Sequence, residues 1–74
     1  EAVNRFLLQR AERVYAELSL ETRELLGQLL DGFEAALAIT DREAIERHRQ
    51  ALTDFLDRCE AGGHDGLDHD DDSL

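Results

Sequence analysis

An all-α fold, a three-helix antiparallel bundle followed by a flexible acidic tail, is predicted by three observations. Apolar residues recur at three- and four-residue intervals in three separate stretches. A helix start signal, Ile39-Thr40-Asp41-Arg42-Glu43, separates the second stretch from the third. The residues from Ala61 onward hold three glycines and five aspartates around a lone internal leucine, too little apolar surface to offset the entropy of ordering them. With 74 residues the chain is one domain with a marginal core. The division is a bundle over residues 1–60, with helices at about 3–18, 20–38 and 41–60, and a tail over 61–74.

The first helix rests on Leu7, Ala11, Val14 and Leu18 in 4-3-4 spacing, widened by Val3, Leu8 and Tyr15. Ser19 is its break, an N-cap for the next helix with Glu21 in the first turn. No Gly or Pro marks this break, and the stripe can also be continued through Leu25, Leu29 and Ala36. The alternative fold is therefore one helix from Val3 to Ala38, a long-armed hairpin that must dimerise to cover its stripe. The second helix carries Leu26, Leu29, Leu30, Phe33 and Leu37 on one face.

The third carries Ile45, His48, Leu52, Phe55, Leu56 and Cys59. Thr40 is expected to cap it in a reciprocal box with Glu43, and Ile39 to staple onto Ala44. Acid-before-base pairs at i,i+4, Glu1 with Arg5, Glu43 with Arg47 and Asp54 with Arg58, each add about 0.3 kcal/mol to their helices. Gly62-Gly63 is read as the stop.

The net charge of −10 opposes binding to nucleic acid or to an anionic membrane, both of which need a basic face. Six of those negative charges follow Cys59 without a single Lys or Arg. No apolar run approaches the roughly 20 residues of a membrane span, and one cysteine makes no internal disulfide. A cytoplasmic home is expected. The chain contains no Met, so Glu1 is read as an internal residue of a longer protein.

Candidate sites are few. His48 lies on an apolar stripe with Ala51 and Leu52 at i+3 and i+4, which makes it a boundary histidine and not a ligand. Asp68, Asp70 and Asp72 imitate the start of a calcium loop, but Ser73 stands where the loop needs Gly, and no closing glutamate follows. Cys59 ends an apolar stripe with no His or Lys beside it, and reads as a small buried hydrophobe. There is no phosphate loop, nucleophile triad or paired carboxylate in an apolar setting. The expectation is no enzyme, no cofactor and no metal in this chain.

The run from Glu17 to Arg58, and less closely back to Leu7, resembles the C-terminal helical lid subdomain of the DnaK-type chaperones, the 70-kDa heat-shock protein family. Leu7-Leu8 with Ala11-Glu12-Arg13 look like the end of the long lid helix. L-S-x-E-x-R at Leu18 to Arg23 follows, and E-A-A-L-x-x-x-D-x-E-A-I at Glu34 to Ile45 is the closest match. V-Y-A-E-L-S-L replaces the Gly and Pro that family members often carry before the second helix, and the final Asp72-Ser73-Leu74 differs from the terminal E-E-V-D that recruits adaptors. The resemblance implies a parent with an ATP-dependent motor domain and a β-sandwich that clamps extended peptides, this bundle being the cap over the clamp. Its partner would be the parent's own peptide-binding domain, and ATP would belong to the parent alone. A free-standing helical interaction or dimerisation module is the alternative, with Phe6, Leu8 and Tyr15 as its surface. A metal-dependent enzyme using the tail is a third reading. The isolated fragment is also expected to form a homodimer, since three short helices cover their apolar side chains incompletely.

Overall fold

In a computed structural model the chain forms three helices, α1 (Ala2–Tyr15), α2 (Leu20–Ile39) and α3 (Arg42–Asp72). Residues 2–61 are described in full and α3 is followed along its backbone to Asp72. Side chains of 62–72, and residues 1, 73 and 74, lie outside the described residues. The expected acidic tail, including its imitation of a calcium loop, falls there almost entirely. The bounds of α3 pass the stop expected at Gly62-Gly63. Glycine in a helix costs about 1 kcal/mol against alanine, whereas proline, absent from this chain, costs about 3, so the pair weakens a helix without forbidding it.

The three-helix reading holds, and the long-armed hairpin does not. α1 ends at Tyr15, three residues before the expected boundary. The amides of Glu17 and Leu18 donate to Val14 O and Tyr15 O at 2.9 and 3.2 Å, tightening the last turn. Arg23 of α2 then reaches back: its Nε donates to Tyr15 O at 2.9 Å, its Nη2 to Ala16 O at 3.1 Å, and the guanidinium lies 5.0 Å from the Tyr15 ring centroid. A side chain from the next helix thus satisfies the Ala16 carbonyl and adds a second donor to that of Tyr15. Ser19, at φ −72° and ψ 165°, opens α2 by accepting from the Thr22 amide at 3.2 Å.

The core is built from the expected stripes. Leu26, Phe33, Leu52 and Leu56 are wholly buried, with Leu7, Ala11 and Val14 from α1 against them. Leu8, Leu29, Leu30, Leu37, Ile45, Phe55 and Cys59 are partly buried around this centre. Gly32 of α2 faces His48 of α3 so closely that a Cβ at Gly32 would stand 2.8 Å from His48 Cε1 and 2.9 Å from Nδ1. The absent side chain is what lets the imidazole lie against the backbone of α2.

α1 and α3 are tied at the surface by Arg10, whose guanidinium donates to Asp57 Oδ1 at 2.7 Å and to Glu60 Oε1 from Nε at 3.0 Å. The expected helical pairs Glu43–Arg47 and Asp54–Arg58 are absent from the ion pairs of the described residues, which are Arg10–Asp57, Arg10–Glu60 and Arg49–Glu46. Asp54 instead accepts from Gln50 Nε2 at 3.0 Å. An exposed i,i+4 pair gains a few tenths of a kcal/mol, so one competing hydrogen bond is enough to displace it.

Candidate functional site

The turn between α2 and α3 corrects the expected capping box. Thr40 does not cap α3: it sits in the left-handed region at φ 54° and ψ 40°, and its amide donates to Leu37 O at 3.1 Å. The Asp41 amide reaches Ala36 O at 3.4 Å, which completes a Schellman closure of α2. Asp41 is the cap of α3, its Oδ1 accepting from the Ala44 amide at 3.2 Å and its carbonyl from Ile45 N at 2.9 Å. One residue therefore ends one helix and begins the next. Glu43 is exposed in the first turn of α3, where its charge meets the positive end of the helix, but the Thr40 amide it was expected to bind is already committed to α2. Ile39 is 69% exposed and forms no staple.

The three residues read as one interaction surface are separated. At 100° per residue, Phe6 and Leu8 lie about 160° apart around α1, and Phe6 and Tyr15 about 180°. Phe6 is 64% exposed, and Val3, three residues earlier on the same side, is 60% exposed. Leu8 packs against the core and faces a cleft, while Tyr15 belongs to the Arg23 contact at the other end of α1. The sequence identifies the apolar residues but not their direction, which depends on which side of α1 the other two helices occupy.

That cleft is an open concavity of about 830 Å³ at the end of the bundle where α1 begins, α2 ends and α3 begins, lined by Asn4, Arg5, Leu8, Leu37, Thr40, Arg42, Ile45, Glu46 and Arg49. Leu8, Leu37 and Ile45 give it an aliphatic floor; Arg5 and Arg42 stand exposed at its edge. Arg49 Nη1 holds both oxygens of Glu46 at 2.8 and 3.0 Å. Two polar atoms of lining residues, Asn4 Oδ1 and Arg49 Nε, are buried without a hydrogen-bond partner. Sequence reasoning missed this site, because its cationic residues are scattered over 45 positions and none forms a motif.

His48 is half-buried against Gly32, and no group of three or more His, Cys, Asp or Glu side chains among the described residues is arranged to hold a metal ion. Cys59 is a free, half-buried thiol, and burial raises its pKa above the ordinary cysteine value, with Arg58 opposing and Glu60 adding to the rise. No helix among the described residues is long and apolar enough to cross a membrane. No family model, curated protein or solved structure matches this chain.

Proposed function

We propose that this chain is the C-terminal lid of a DnaK-type chaperone, capping the peptide-binding domain of its parent and governing client release in the cytoplasm, with no catalysis of its own. The observation that supports this reading is the structural role of the residues that carry the resemblance. In E-A-A-L-x-x-x-D-x-E-A-I, the second alanine, Ala36, is 3% exposed, the aspartate is the Asp41 cap, and the later alanine, Ala44, is 9% exposed. Three of the matched positions, Ala36, Asp41 and Ala44, lie at the α2–α3 corner, and a corner held by a Schellman closure and a cap keeps a small bundle rigid. A lid acts mechanically: a stiff body over a clamp slows both entry and escape of the peptide without touching it. ATP binding and peptide contact would both be functions of upstream domains.

The experiment is a graft. This chain replaces the C-terminal bundle of an established DnaK-type chaperone, and dissociation of a labelled leucine-rich peptide is followed in the ADP state. Release as slow as in the intact chaperone supports the lid, whereas release as fast as in a lidless truncation overturns it. The isolated chain should neither hydrolyse ATP nor bind that peptide, and saturable low-micromolar binding would favour an autonomous module. That second reading draws on the adjacent exposed side chains of Val3 and Phe6, which offer a small apolar face to a partner.

A further inference from the structure

We propose that the arginine-edged cleft at the α2–α3 corner binds an acidic peptide segment that carries an aliphatic residue, donated by another protein. Charge complementarity selects this occupant. In a chain of net charge −10, the cleft gathers Arg5, Arg42 and Arg49 against the single carboxylate of Glu46. Glu46 is held by Arg49, and Arg42 makes no ion pair among the described residues. Two other concavities lack this excess: one sets Arg23 against Glu24 and Asp31, and another sets Arg47 against Glu43 and Glu46.

The aliphatic floor narrows the chemistry from any anion to a peptide. Leu8, Leu37 and Ile45 provide room for an aliphatic side chain, which a free inorganic anion does not possess. An acidic segment with one leucine presents both carboxylates and an aliphatic side chain within a few residues. This inference is independent of the lid reading, since it rests on the charge and lining of the cleft alone.

The test is fluorescence anisotropy with a labelled Asp-Asp-Leu-Asp-Asp peptide on the full chain, with far-ultraviolet circular dichroism to verify folding of each variant. Saturable binding is expected, weakening as salt rises. Arg5→Gln and Arg42→Gln, both exposed, should each weaken it roughly two- to fivefold, the range of an exposed ion pair. Arg13→Gln makes the same charge change outside the cleft and should leave binding unaltered. Replacing the peptide's aspartates by asparagine, or its leucine by serine, should abolish saturation. Equal weakening by Arg13→Gln and Arg42→Gln would overturn the proposal in favour of a diffuse charge effect. Undiminished binding of the asparagine peptide, full competition by equimolar inorganic sulfate, or no saturation at all would overturn it as well.

Discussion

Adding one methyl group at each glycine of α2 separates helix propensity from interhelical packing. Gly27 and Gly32 both lie inside the helix with ordinary negative φ, so alanine at either removes the glycine penalty of about 1 kcal/mol. At Gly27 the new Cβ meets nothing within 4 Å, and the gain should appear in full. Gly27→Ala is expected to stabilise the chain by about 1 kcal/mol and raise Tm by roughly 4–8 °C, the range for a domain of this size. At Gly32 the same Cβ would enter the His48 ring at 2.8 Å, inside any normal contact, and the ring or the helix must shift. Overpacking of this kind costs about 1–3 kcal/mol, which cancels or reverses the gain. Gly32→Ala should therefore lie about 1–3 kcal/mol below Gly27→Ala. Urea denaturation at one fixed protein concentration measures the difference, and Gly32→Ala combined with His48→Ala should recover at least about 0.5 kcal/mol of coupling. Equal stabilisation by the two glycine substitutions would refute the packing of His48 on Gly32, and with it the register of α2 against α3.

Asp41→Ala should cost about 1 kcal/mol by stripping the cap from α3, while Thr40→Gly should stabilise by about 1 kcal/mol, because a β-branched residue is strained at φ 54°; a loss on Thr40→Gly would restore Thr40 as the cap. The rate of Cys59 modification by a thiol reagent should rise with pH at a midpoint above that of a free cysteine peptide, since burial disfavours the thiolate. The linked effect has the same sign: this contribution is fully present below the unfolded thiol pKa of about 8.5 and is lost as pH rises through the higher folded value. A midpoint at or below the peptide's would place Cys59 in solvent. Sedimentation equilibrium should show a concentration-dependent dimer that Phe6→Ser shifts toward monomer, because Phe6 and Val3 expose two apolar side chains on one side of α1; a mass that stays monomeric to several hundred micromolar, or a dimer indifferent to Phe6→Ser, would show that this side is unpaired.

The amino-acid sequence by itself determined the all-α class and nearly all of the core, while leaving two or three helices open at Ser19, because helical periodicity is a local property that fixes which residues share a face. Leu7, Ala11, Val14, Leu26, Phe33, Leu52 and Leu56 follow from spacing alone. Ser19 was legible for the same reason, as its hydroxyl acts within a single turn. At Thr40 local reading failed: two good caps stood side by side, and the closure of α2 onto Ala36 and Leu37, which places Thr40 in the left-handed region, decided between them. Tertiary structure alone decided what lies far apart in the chain. It brought Arg23 back to the end of α1, set His48 against Gly32, joined Arg10 to Asp57 and Glu60, and gathered Arg5, Arg42 and Arg49 around an aliphatic cleft. Those contacts depend on which side of α1 the other helices take and in what register they pack, and neither quantity is encoded in the period of a single helix.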